Sequence, residues 1–208
     1  MNQAAPPAII LAGGLSRRMG RDKATLALAG RPMLAYVAER VRPQVSSLAI
    51  NAPEELAGGL GLPLVPDTIG GHQGPLAGVL AGLRHAATLE QQPSHLLTVP
   101  ADTPFLPRDL VSRMTAALPG ADAIILAASA GRLHPVVALW PLALADELEL
   151  WLQEPSNRKL QRYIARHPSV AVDFELTETK LGPLDPFFNV NTPDDAARAE
   201  AFITVFER

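Results

Sequence analysis

Short apolar runs alternate with amphipathic stretches along most of this chain. Residues 8–12, 47–51, 63–66, 95–99, 123–127, 136–140 and 170–174 read as strands, short and apolar enough to be buried on both faces. Between them lie helical patterns. Residues 33–41 put Met33, Val37 and Val41 on one face behind Pro32, and residues 76–87 do the same with Leu76, Val79, Leu80 and Leu83. Further helices are predicted over 108–118, 142–152, 157–166 and 194–206, the last opened by Pro193. Strands alternating with helices imply a mostly parallel sheet covered on both faces. After Ala130 two strands follow almost directly on each other, which predicts antiparallel pairing there and hence a mixed sheet.

Composition narrows the class. At 208 residues the chain fits one α/β domain, residues 1–208, able to bury roughly 70% of its unfolded surface without staples. With no cysteine it has no disulfide framework, thiolate metal site or cysteine nucleophile, in keeping with a reducing cytoplasm. The start, Met1 to Pro7, lacks the basic and apolar regions of a signal peptide, and no apolar run approaches the roughly 18 residues of a membrane span. A net charge of −3 argues against a nucleic-acid binder. The reading is therefore a cytoplasmic protein with no nucleic-acid or membrane partner.

Positive charge is concentrated in one place. The first strand ends in Gly13 and Gly14, and Arg17, Arg18, Arg21 and Lys23 follow before the next apolar stretch. Glycines let backbone N–H groups approach phosphate oxygens, and Arg and Lys supply charge. The spacing fits neither known phosphate loop. Between Gly14 and Gly20 stand five residues, followed by Arg21, so a G-x-x-x-x-G-K loop is excluded, and no G-x-G-x-x-G is present there.

In a parallel sheet the carboxyl ends of strands share one edge, where doubly wound folds bind ligands. The polar residues at those ends are the basic loop, Asn51, Asp67 and Asp102. Cations for phosphates, a hard carboxylate for Mg²⁺ and polar groups for base and ribose suit a nucleoside triphosphate. Asp102 is the metal candidate, although an Asp after a strand also serves as a turn or cap, and Asp67 shares that second reading. Five His residues show no metal-ligand spacing, and Ser16 lies outside any G-x-S-x-G elbow.

Leu11-Ala12-Gly13-Gly14, Ser16-Arg17-Arg18-Met19-Gly20 and Asp22-Lys23 together resemble the signature loop of nucleotidyltransferases with a Rossmann-like, glycosyltransferase-A type fold. Gly74-Pro75-Leu76-Ala77-Gly78, the Pro100–Leu106 segment, His134-Pro135 and Asn189-Val190-Asn191-Thr192-Pro193 narrow the resemblance to molybdenum cofactor guanylyltransferases. That resemblance implies a three-layer nucleotidyltransferase domain that uses Mg²⁺, with GTP and Mo-molybdopterin as substrates. It implies GTP contacts from Leu11, Ala12, Gly13, Gly14 and Lys23, nucleoside contacts from Asn51, Asp67 and Gly78, and Mg²⁺ on Asp102. Lys23, Arg17 and Asp102 are the catalytic set, with Lys23 and Arg17 steadying charge on the triphosphate.

Asn189 and Asn191 are expected at the pterin phosphate or metal, or as ordinary caps of the last helix. By the same resemblance His134 is expected to line the pterin pocket. The protein is expected to act as a monomer with transient contact to molybdoenzymes or their chaperones. The alternatives are a molybdopterin cytidylyltransferase, a sugar-phosphate nucleotidyltransferase, or a non-catalytic nucleotide-binding module that delivers cofactor to molybdoenzymes.

Overall fold

The computed structural model describes residues 4–13, 26–52, 61–69, 74–91 and 93–206. Gly14, Arg17 and Lys23, expected at the phosphates, lie outside the described residues.

A six-stranded sheet runs in the order β4-β1-β5-β7-β6-β8, formed by β1 (Ala8–Leu11), β4 (Leu48–Asn51), β5 (His95–Pro100), β6 (Ile124–Ser129), β7 (Arg132–Pro141) and β8 (Ser169–Asp173). β1 lies parallel to both β4 and β5, β6 lies parallel to β8, and β7 runs antiparallel between β5 and β6. The mixed sheet expected after Ala130 is thus present. The β6–β7 hairpin closes through Ala130 and Gly131, both at positive φ (47° and 76°), the backbone of a tight turn matched to strand twist. β7 is longer than the pattern over 136–140 predicted, because its first residues pair with β6 beyond the reach of β5.

Successive residues of the inner strands serve opposite faces, as pleating requires. Ile10, Leu97 and Val99 pack with Leu34, Val37 and Val41 of α1 (Met33–Val41) and with Leu110, Val111 and Met114 of α3 (Leu110–Ala116). Ile9 and Leu96 pack on the other face with Leu76, Val79, Leu80 and Leu83 of α2 (Pro75–Ala86), joined there by α4 (Ala145–Gln153) and α5 (Leu160–Ile164). The two predicted apolar faces, Met33/Val37/Val41 and Leu76/Val79/Leu80/Leu83, are entirely buried. Each such side chain contributes about 1.5–3 kcal/mol.

Several elements differ from expectation. Residues 63–66 make only a single parallel bridge, Ile50 to Leu64, with two backbone bonds of 2.9 Å; their prolines remove the donors a ladder needs. Residues 142–144 form a 3₁₀ turn before α4, and α3 and α5 are shorter than their apolar patterns. The hairpin of β2 (Ala27–Leu28) and β3 (Arg31–Pro32) was not predicted at all.

α6 (Pro193–Phe206) closes the molecule against that hairpin, burying Phe202 and Ile203 with Leu28, Met33, Phe105 and Val190. Its start is a capping box: Asp195 N–H donates to Thr192 Oγ1 at 3.1 Å, and Asp195 Oδ2 accepts from Asn191 and Thr192 N–H at 3.0 Å each. The cap is therefore Thr192 rather than an Asn. Among the described residues no helix is long and apolar enough to cross a membrane.

Candidate active site

The carboxyl ends of β1, β4 and β5 meet at one edge, and the hydrogen bonds there explain why. Leu11 sits opposite Asn51 on one side and Pro100 on the other. Ala12 N–H donates to Asn51 O at 2.8 Å, and Ala101 N–H donates to Leu11 O at 3.1 Å. The register that buries Ile9 and Ile10 thereby fixes Ala12 and Gly13 beside Asn51 on one flank and Asp102 on the other. Gly13 is exposed at this edge.

Asn51 is a buried amide with a structural assignment. Its Nδ2 donates to Val65 O and to Asp67 Oδ1, both at 2.9 Å. Both partners are acceptors, so the amide nitrogen must face them and Oδ1 must face the other way. That oxygen lies only 2.5 Å from where a Cβ on Gly78 would stand, and 3.5 Å from the corresponding point on Gly13. Gly78 is buried in α2 and a side chain there would also meet Leu11 at 2.9 Å. Its place in the structure is thus behind Asn51, letting the helix close on the amide. Asp67 is exposed, with one carboxylate oxygen engaged by Asn51.

Asp102 begins the loop after β5, half-buried between Ala101 and Thr103. Its carbonyl accepts Val190 N–H at 2.9 Å, while Thr103 Oγ1 donates to Asn189 Oδ1 at 3.3 Å. The late Asn189–Asn191 segment is therefore docked on the Asp102 loop, as a site built from distant sequence requires. Asn189 is exposed beside Thr103, and Asn191 holds its N–H on Asp195. The structure brings Leu11, Ala12, Gly13, Asn51, Asp67 and Gly78 into one group and Asp102 with Asn189 into a neighbouring one.

Among the described residues no three His, Asp or Glu side chains gather as a preformed metal cage. Mg²⁺ commonly takes one or two carboxylates and fills its shell with phosphate oxygens and water. A half-buried carboxylate at the strand edge, Asp102, fits that demand. A cavity of about 490 Å³, lined in part by Pro6, Ser47, His95, Thr115 and Leu139, lies at the opposite edge where the strands begin, away from these groups.

Sequence reasoning did not find Ser129 or Asp185. Ser129 is fully buried at the end of β6, where it bonds Asp185 Oδ1 and His134 Nε2, each at 2.8 Å. A lone Ser closing an apolar run carries no periodic or spacing signal, and its partner stands 56 positions away.

The chain as a whole is matched by known proteins. Residues 8–170 match the family model of the MobA-like NTP transferase domain. The chain belongs to that family. It is 52% identical over 204 residues to the molybdenum cofactor guanylyltransferase of Rhizobium meliloti (strain 1021), covering 97% of this chain and 94% of that one. Among solved structures, the molybdopterin-guanine dinucleotide biosynthesis protein A of Archaeoglobus fulgidus superposes with a TM-score of 0.70 at 22% identity, covering 95% of this chain and 98% of that one. A Mycobacterium tuberculosis protein crystallised in complex with manganese superposes at 0.66 and 17% identity over 96% of this chain and all of its own. The MobA-like fold is thus the Rossmann-like nucleotidyltransferase fold expected from the sequence. In this chain Asp102, Asn51 and the end of β1 occupy its carboxyl edge.

Proposed function

We propose that the protein transfers GMP from GTP to the terminal phosphate of Mo-molybdopterin, yielding molybdopterin guanine dinucleotide cofactor and pyrophosphate. The observation that carries the reading is the 52% identity, spanning 97% of the chain, to a protein named molybdenum cofactor guanylyltransferase. The edge built from β1, β4 and β5 supports it, because it offers the groups such a reaction needs.

The acceptor phosphate attacks the α-phosphorus of GTP in line and pyrophosphate departs. Nucleophile and leaving group are both phosphates with little proton to remove, so the chain's work is positioning and charge neutralisation. The main chain of Leu11, Ala12 and Gly13 would approach the nucleotide, the glycine allowing close contact. Asn51 and Asp67 would hold the nucleoside, their mutual hydrogen bond fixing both side chains before the ligand arrives. Lys23 and Arg17 would steady the departing pyrophosphate, and Gly14 would line the same loop. Asp102 would hold Mg²⁺, with Asn189 beside it; the ion supplies charge neutralisation at the phosphate oxygens. The reading carries with it a cytoplasmic monomer whose product passes to molybdoenzymes.

Equilibrium binding of GTP, CTP and ATP with Mg²⁺ tests the nucleotide assignment. A clear preference for GTP is expected; a preference for CTP overturns the guanylyl reading in favour of cytidylyl transfer.

A further inference from the structure

The active edge continues past Asp102 to the hairpin of β6 and β7, where three polar residues form a chain with one possible proton arrangement. Ser129 has a single hydroxyl proton, which goes to Asp185 Oδ1 at 2.8 Å, since a carboxylate oxygen only accepts. Ser129 Oγ then accepts from its other neighbour, so His134 Nε2, also at 2.8 Å, carries a hydrogen. In the neutral ring the remaining nitrogen, Nδ1, is a bare acceptor, and it makes no hydrogen bond to any described residue.

The arrangement is rigidly built. Asp185 Oδ1 also accepts Phe187 N–H at 2.8 Å. The Phe187 ring lies 4.6 Å from the His134 ring at an interplanar angle of 34°, and is itself braced edge-on by Phe174 at 5.3 Å. Strand pairing jumps from Leu126–Ala138 to Ala127–His134, leaving residues 135–137 as a bulge immediately after the histidine. Bulges of this kind re-aim side chains next to active sites. The same loop that carries Asp185 supplies Val190 N–H to Asp102 O, so His134 and Asp102 are set by one segment. Burial lowers the His134 pKa below 6.5; Asp185 works the other way and Arg132 assists the lowering, so the ring stays neutral at neutral pH.

Position decides which substrate this acceptor meets. Asn51, Asp67 and Gly13 lie on the β4–β1 side of Asp102, and Ser129 and His134 lie across β5 on the other. In-line transfer sets the incoming acceptor opposite the departing pyrophosphate, so the acceptor needs room of its own at this edge beside the nucleoside held on the β4–β1 side. A neutral nitrogen lone pair repels phosphate oxygens and suits an N–H donor, which the exocyclic amine and ring N–H of a pterin provide. We propose that His134 Nδ1 accepts a hydrogen bond from a pterin N–H of the acceptor substrate, with Ser129 and Asp185 as positioning residues that fix its tautomer and direction. The inference rests on the guanylyl-transfer reading for the identity of the acceptor.

The test uses the full chain and molybdopterin as probe, with its dissociation constant read by fluorescence and the tautomer of His134 read by ¹⁵N NMR. H134F is expected to weaken molybdopterin binding about tenfold, the worth of one hydrogen bond, and to leave GTP binding within about twofold. S129A, which removes only the support, is expected to weaken it about threefold and to shift the His134 tautomer populations. Wild-type His134 showing its hydrogen on Nδ1, or H134F binding molybdopterin as wild type does, overturns the inference. Should H134F not fold, S129A and the wild-type tautomer decide. Because binding and tautomer are read without turnover, a wild type that binds molybdopterin but transfers no GMP refutes the proposed function separately.

Discussion

Asn51 shows how one side chain can be committed in three directions. Its amide nitrogen ties the end of β4 to Val65 and Asp67, its backbone continues the β1 ladder, and its oxygen occupies the space that Gly78 leaves open. Asp102 is simpler, a carboxylate set at the strand edge by its own carbonyl bond to Val190. Asp102→Ala is expected to lower turnover roughly 10²-fold or more while leaving the melting temperature near that of wild type, since its side chain stands at the edge and outside the apolar core. Near-normal turnover would remove Asp102 from the catalytic set. These residues were legible in the sequence because each directly follows a buried apolar run, and the ends of parallel strands share an edge. Ser129 and Asp185 were not, because their meaning arises from a contact between positions far apart in the chain.

At the scale of elements, α2 carries the tightest fit. A Cβ on Gly78 would stand 2.5 Å from Asn51 Oδ1, and one on Gly82 would stand 2.7 Å from both Ile9 and Leu96. Both Gly78→Ala and Gly82→Ala are expected to cost about 1–3 kcal/mol by chemical denaturation. They should separate in function. Gly78→Ala pushes on Asn51 and should weaken GTP binding about tenfold, whereas Gly82→Ala presses only on core side chains and should leave it unchanged. Equal effects on GTP from both variants would mean that Asn51 does not hold the nucleotide. The apolar periodicity marked α1 and α2 with the correct inward faces. It failed where elements are too short to show a period, as in the two-residue strands β2 and β3, and where proline removes ladder donors, as in residues 63–66. It also ran long over α5, and over α3, where Ala117 and Leu118 pack on the core past the end of the helix.

Across the whole molecule, the mostly parallel sheet and its two helical layers followed from alternation alone, but the strand order did not. That β7 inserts between β5 and β6 depends on side-chain closure no window of sequence displays: Thr98 donates to Val136 O at 2.7 Å and accepts from Trp140 Nε1 at 2.9 Å, locking β5 to β7. The opposite edge has its own acid sensitivity. His95 is buried, with Nδ1 3.0 Å from Ser94 Oγ and Nε2 3.3 Å from Ala123 O, and burial lowers its pKa despite the Ala123 bond. A lowered folded pKa means the unfolded chain takes up the proton first. This stability is therefore present above about pH 6.5 and lost as pH falls below it. His95→Gln should flatten the decline of melting temperature from about pH 6.5 downward; an unchanged decline would remove His95 as its source.

Guanylyl transfer is tested most directly by a quantitative assay of pyrophosphate release by the purified protein with Mo-molybdopterin, Mg²⁺ and either GTP or CTP. Stoichiometric pyrophosphate and guanine dinucleotide product are expected with GTP, and little with CTP. No pyrophosphate at saturating substrates, or equal or greater release with CTP, would contradict it.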